Sequence, residues 1–218
     1  MRDRVLWSTL AAAALAALCV TAGTAPTAQT AQTPPTAPSE ELAVGNAAPA
    51  FSLTGTDGKT HSLADYGDKA RAVAVVFSCN HCPYAKAYEP VLIDLAKKYA
   101  DKGVAFVFIS SNDPKAVPED SFDNMKQRAK EKSYPFPYLF DETQAVARAY
   151  GARVTPHVFL LDSKHVLRYR GRVNDNKDQS QVKSNDLVDA LDALLAGKEI
   201  ATTSTKAFGC GMKWKPAS

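Results

Sequence analysis

Two rhythms of apolar residues alternate along this chain, and together they predict its layers. Val73-Ala74-Val75-Val76-Phe77 and Val104-Ala105-Phe106-Val107-Phe108-Ile109 are short unbroken apolar runs, as expected of strands buried on both faces. After the first run, Tyr84, Tyr88, Val91, Leu92, Leu95 and Tyr99 recur at helical spacing, with Pro90 placed to kink that helix. Phe122, Met125 and Ala129 mark a second amphipathic helix, starting behind Asp120 or Ser121. Asp141 and Gln144 read as a capping box for a helix through Ala145, Val146 and Ala149, which Gly151 ends. Val158-Phe159-Leu160-Leu161 and Val166-Leu167-Arg168-Tyr169 are two more strands, joined through Asp162-Ser163-Lys164. Leu187, Val188, Leu191, Leu194 and Leu195 lie on a last helix running from Ser184 to Gly197. Ahead of all these, Phe51-Ser52-Leu53 and Thr60-His61-Ser62-Leu63 flank the turn dipeptide Asp57-Gly58, which predicts a β-hairpin. Strands and helices alternate, two strands then pair, and a helix closes the chain. The pattern predicts a three-layer α/β/α sandwich around a central mixed sheet.

A different pattern precedes that domain. Arg2 and Arg4, the nearly unbroken apolar residues 5–20 and the small residues of Val20-Thr21-Ala22 read as a signal peptide over residues 1–22. If retained, the same segment is an N-terminal anchor, although its apolar stretch contains Ser8 and Thr9 and is short for a membrane span. Cys19 follows Leu18, which is larger than the small residue a lipoprotein signal carries there, so Cys19 is expected to leave with the signal. Residues 23–41 are almost wholly Ala, Thr, Pro and Gln and predict a disordered linker. The folded domain is then residues 42–200, and residues 201–218 form a C-terminal tail. Export places the protein in the periplasm or another extracytoplasmic, oxidising compartment.

Composition adds little to this picture. The 218 residues are 45% hydrophobic, and 26 basic against 23 acidic side chains give a net charge of +3. No basic run or aromatic-basic stripe accompanies that charge, so a nucleic-acid partner is not indicated.

The chemistry is carried by Cys79-Asn80-His81-Cys82, set between the first buried strand and the helix after it. Two cysteines at this spacing form a disulfide with little backbone movement, and a helix N-terminus favours thiolate over thiol at Cys79. The pair reads as a redox-active dithiol. Half of a zinc site is the bland alternative, but Cys19, Cys210, His61, His157 and His165 are too scattered to supply the other ligand pair. An inert structural disulfide is the other alternative; so short a loop suits reversible bridging better.

With these residues in view, the chain resembles the thioredoxin fold, and within it the redoxin branch, the alkyl hydroperoxide reductase and thiol-specific antioxidant superfamily. Phe77-Ser78-Cys79-Asn80-His81-Cys82-Pro83-Tyr84 carries the likeness, with Tyr134-Pro135-Phe136-Pro137-Tyr138-Leu139-Phe140-Asp141-Glu142. Ala149-Tyr150-Gly151-Ala152 leading into Val154-Thr155-Pro156 completes it. The resemblance implies a thiol–disulfide oxidoreductase without a bound cofactor or resident metal. Its substrates are protein thiols and disulfides, and a second redox partner donates or accepts the electrons. A membrane enters only if the N-terminal segment is retained.

By family position Cys79 is the attacking thiol and Cys82 the resolving one, with His81 tuning the Cys79 thiolate. Pro156 resembles the proline held cis beside the dithiol, and the Thr155 backbone pairs with the substrate peptide. Glu89, seven residues after Cys82, is a possible proton acceptor when Cys82 attacks. His157 stays outside the catalytic set, since strand alternation aims it either way.

Departures from the pattern limit the transfer. Peroxiredoxins place Thr or Ser three residues before the peroxidatic Cys and Pro seven before it, whereas this chain has Val76 and Ala72. A peroxidase or antioxidant activity is therefore an alternative rather than the leading reading. A copper-binding metallochaperone is another, with His165 as the distant ligand and His81 second.

Cys210 is the odd thiol, flanked by Gly209 and Gly211 in the tail. It either resolves Cys79, pairs between chains or anchors the tail. Phe208, Met212 and Trp214 are too apolar for a disordered segment, so the tail is expected to fold back and anchor rather than to take part in catalysis.

Overall fold

The computed structural model describes residues 40–67 and 69–216. The expected signal and most of the expected linker lie outside the described residues. Within them, no helix is long and apolar enough to cross a membrane.

Strands β1 (Ser52–Gly55) and β2 (Thr60–Ser62) form the opening hairpin. Then come β3 (Ala72–Phe77), α1 (Pro83–Ala100), β4 (Val104–Ser110), α2 (Phe122–Glu131), β5 (Tyr138–Phe140) and α3 (Ala145–Tyr150). The chain continues through β6 (Val154–Thr155), β7 (His157–Asp162), β8 (Leu167–Gly171), α4 (Asp186–Leu195) and β9 (Cys210–Gly211). Seven strands make one mixed sheet in the order β2-β1-β5-β4-β3-β7-β8, and β6 pairs with β9 in a separate ladder.

Strand β3 lies at the centre, parallel to β4 and antiparallel to β7. Its alternation serves two cores. Ala72, Ala74 and Val76 face Tyr88, Leu92 and Tyr99 of α1 and Leu187 and Leu191 of α4. Val73, Val75 and Phe77 face Val146, Ala147 and Tyr150 of α3 on the other side. A strand covered on both faces has no polar position to spare, which is why its sequence is continuously apolar. The sandwich predicted from the sequence is the fold observed.

One local reading changes, and one strand appears that the pattern did not show. The proposed capping box at α3 does not form: Gln144 takes a left-handed conformation with φ 63° and makes no side-chain cap. Its amide instead donates to the carbonyls of Ser111 (2.7 Å) and Lys213 (2.8 Å), a tertiary use that outcompetes the local one. Asp141 still serves the helix start, accepting from the Ala147 amide at 2.9 Å. Strand β5, three residues behind Pro135 and Pro137, is too short for periodicity to reveal; partners on both sides, β1 and β4, define it.

The tail folds back as expected. Phe208 lies edge-on to Tyr84 with ring centroids 5.9 Å apart, and Met212 is buried in the core on the α3 side. Arg148 stacks over the Trp214 ring at 4.5 Å.

Candidate functional site

The dithiol sits where β3 ends and α1 begins. Pro83 occupies the first helical position, so Cys82 is the N-cap residue and Cys79 lies in the loop before it. Proline suits this place because it has no N–H to leave unpaired. All three described cysteines are free thiols. Cys82 is fully buried, while Cys79 retains 4% exposure.

Thr155 bridges both sulfurs. Its hydroxyl is 3.1 Å from Cys79 Sγ, and its carbonyl accepts from Cys82 Sγ at 3.2 Å. The Thr155–Pro156 bond is cis. Thr155 and Pro156 are thus brought beside the dithiol, but the backbone edge of Thr155 is already occupied. It pairs antiparallel with the tail, Thr155 opposite Cys210 and Val154 opposite Gly211.

Helix polarity works differently from the sequence expectation. The helix starts at the second cysteine, and the amides of Asn80 and His81 donate to Asp120 Oδ1, at 2.7 and 3.1 Å. The thiols divide accordingly. The Cys79 thiol is pushed well up by its hydrogen bond to Cys82, then by burial and by the negative charge of Asp120. Cys82 is brought down first by that same hydrogen bond, with Cys210 and the first-turn amide of Ala85 pulling the same way against its burial.

Asp120 is the residue that sequence reasoning missed. It is fully buried in the turn before α2. Its Oδ2 accepts from Asn112 at 2.8 Å and from His81 Nδ1 at 2.6 Å. Read locally, Asp120 looks like a helix-start residue, and nothing in its neighbours signals a partner some forty positions away. His81 is partly exposed and does reach the site, but through Asp120. A hydrogen or charge on its ring would offset the carboxylate that disfavours the Cys79 thiolate. Replacing His81 by Ala should therefore raise the Cys79 thiol further and make the couple more reducing, by about 30 mV for each tenfold loss of thiolate stability. A thiolate titration and a potential that both stay unchanged would remove His81 from the tuning role.

Glu89 does not reach the dithiol. Seven residues of helix place it about 10 Å along the axis from Cys82, beyond proton-transfer distance. Its Oε2 instead accepts from Arg128 Nε at 2.6 Å and from the Tyr134 hydroxyl at 2.5 Å, tying α1 to α2.

The copper arrangement is also corrected. In β7, His157 pairs with Phe77 at the dithiol end of the sheet, whereas Asp162 pairs with Ala72 at the other end. His165 lies three residues beyond Asp162 and is therefore separated from the dithiol by roughly 17 Å of strand. His157 is buried and held neutral, its pKa pulled down to about 3 by burial and by Arg170 and Arg153.

Among the described residues, Cys79, His81 and Asp120 form a group with metal-ligand atoms within 4.8 Å of one another. The four hydrogen bonds to Asp120 already use both its oxygens, so the group is built as a hydrogen-bonded support rather than as an open ligand set.

Residues 43–191 match the Redoxin family. A thiol-disulfide oxidoreductase, ResA, from Geobacillus thermodenitrificans is 29% identical over 121 residues, which cover 56% of this chain and 64% of that protein. The matched region thus spans under two thirds of this curated relative. The crystal structure of an uncharacterized conserved protein from Geobacillus kaustophilus superposes with a TM-score of 0.77 and 42% identity, covering 82% of this chain and 96% of that one. A thiol:disulfide interchange protein of the thioredoxin family from Chlorobium tepidum shares the fold, with a TM-score of 0.54 at 23% identity over 71% of this chain and 99% of its own.

Proposed function

The chain belongs to the redoxin family, and from that premise we propose that it is an exported thiol–disulfide oxidoreductase exchanging a Cys79–Cys82 dithiol with protein disulfides. The carrying observation is a pair of free thiols beside a cis Thr155–Pro156 bond, with Cys79 the residue of the two that keeps some exposure. Export rests on the N-terminal pattern of residues 1–22.

In the reducing direction, Cys79 loses its proton and attacks, as thiolate, one sulfur of a substrate disulfide. The substrate's other sulfur leaves as a thiolate and takes up that proton. Cys82 then loses its proton and attacks Cys79, and the second substrate sulfur departs as a thiolate that takes up the Cys82 proton. Two electrons have moved from the dithiol to the substrate; the oxidising direction is the reverse. Equilibrating the protein in glutathione buffers and counting alkylated thiols tests this reading. The expected result is a two-electron couple confined to Cys79 and Cys82; failure to form that disulfide would overturn it.

Peroxide reduction is expected to be negligible beside a dedicated peroxidase. Val76, three residues before Cys79, is a fully buried strand residue whose side chain has no hydrogen to donate to a peroxide oxygen. Stopped-flow mixing of reduced protein with hydrogen peroxide checks this, and a fast Cys79-dependent reaction would favour the antioxidant reading instead.

A further inference from the structure

The C-terminal segment places a third sulfur at the dithiol. Strand β9 pairs with β6 so that Cys210 stands opposite Thr155, the residue whose carbonyl and hydroxyl contact Cys82 and Cys79. Cys210 packs against the small cluster of Cys79, Cys82 and Ala85.

The tail is fitted to this position on both sides of the cysteine. On the N-terminal side, a Cβ on Gly209 would lie 2.0 Å from the Thr155 carbonyl oxygen, so only glycine permits the approach. Beyond it, the Met212 amide donates to the Arg153 carbonyl at 2.9 Å and the Lys213 amide to Asn112 Oδ1 at 2.8 Å. Asn112 is in turn a donor to Asp120. The tail is therefore tied into the same network that supports Cys79.

An anchoring role accounts for Phe208, Met212 and Trp214 but not for a thiol packed on the Cys82 side of the dithiol. We infer that Cys210 is a third redox thiol, which exchanges with the Cys79–Cys82 disulfide at the Cys82 sulfur. This step rests on the oxidoreductase reading above.

The exchange is balanced without an external oxidant or reductant. Cys210, as thiolate, attacks Cys82; the Cys82–Cys210 bond forms, the Cys79–Cys82 bond breaks, and Cys79 leaves as a thiolate that takes up the proton Cys210 lost. The number of disulfides is unchanged. In the reduced protein, burial and the contact with Cys82 push the Cys210 thiol up to about 11, with Lys213 opposing. The contact with Cys82 is altered once that sulfur is in a disulfide, so Cys210 is better able to ionise in the state where it has to react. Two consequences follow. Cys79 is regenerated as a free thiol, and β9 becomes covalently held on the edge of Thr155, where a substrate strand would pair.

The test uses the full chain with Cys79→Ser, leaving Cys82 and Cys210 as the thiols of the folded domain. After oxidation with diamide and alkylation, peptide mapping should find an intramolecular Cys82–Cys210 disulfide as the dominant product in monomeric protein. Adding Gly209→Ala, which displaces the strand without touching a thiol, should cut that yield at least tenfold. Free Cys82 and Cys210 in the single variant, or linkage only between chains, would overturn the inference. So would a yield indifferent to Gly209→Ala, since it would show that β9 does not present the sulfur. Wild-type protein mapped in parallel separates the two readings. A Cys79–Cys82 disulfide in wild type with unlinked thiols in Cys79→Ser defeats the third thiol alone, whereas no Cys79–Cys82 disulfide in wild type defeats the oxidoreductase reading and this exchange with it.

Discussion

Cys79→Ser is expected to abolish disulfide exchange, lowering turnover of a disulfide substrate by at least about three orders of magnitude, the scale of losing a catalytic nucleophile. Cys82→Ser should leave the first attack possible and trap the protein as a mixed disulfide with its substrate. The asymmetry follows from position. Cys82 is fully buried at the helix N-cap, so an incoming disulfide meets Cys79 first. Once Cys79 is bonded to substrate, Cys82 is the adjacent thiol able to displace it. Cys210 contacts the Cys82 side of the cluster, so its presence does not rescue the trapped species. Non-reducing electrophoresis of both variants with a disulfide-bonded protein substrate reads out the difference. Equal trapping by the two variants would reverse or erase these roles.

Asp120→Ala should carry the largest stability cost of any single change at the site, about 3 kcal/mol or more. The buried carboxylate accepts from the Asn80 and His81 amides, the Asn112 side chain and His81 Nδ1, and alanine leaves all four donors without that acceptor. Denaturant unfolding of the reduced protein measures the loss. Asp120→Asn should cost less, because an amide oxygen still accepts from the loop. It also removes the negative charge that pushes the Cys79 thiol up. A more stable thiolate favours the reduced form, so the Asn variant should be the more oxidising couple. A potential unmoved or shifted downward would show that the Asp120 charge does not act on the dithiol.

The two substitutions at His81 and Asp120 therefore push the potential in opposite directions. A merely structural role for the pair would not produce opposite signs, which makes the comparison more informative than either variant alone.

The amino-acid sequence by itself determined the layers, because burial on two faces demands continuous apolar strands and burial on one demands helical spacing. The six fully buried residues of β3 and the stripe of α1 are both direct records of that demand. It also determined the dithiol, since a CxxC pair between a buried strand and a helix is a local arrangement, whereas the proline at position 156 was legible through the family resemblance. What lay beyond it are contacts between residues far apart in the chain. Asp120 reaches the loop of Asn80 and His81 across some forty positions, and periodicity carries no trace of such a partner. Glu89 shares a helix with the dithiol, but direction on that helix was settled by Arg128 and Tyr134 across the groove to α2. Gln144 left its local cap for the carbonyls of Ser111 and Lys213. His165, offered as a distant ligand, was carried to the opposite end of the sheet by strand register. Cys210 was visible as an odd thiol, yet only the pairing of β9 with β6 sets it against the dithiol. Local hydrogen-bonding and apolar patterns are written in neighbouring residues, whereas a polar group buried from solvent takes whatever partner the packed chain brings within reach.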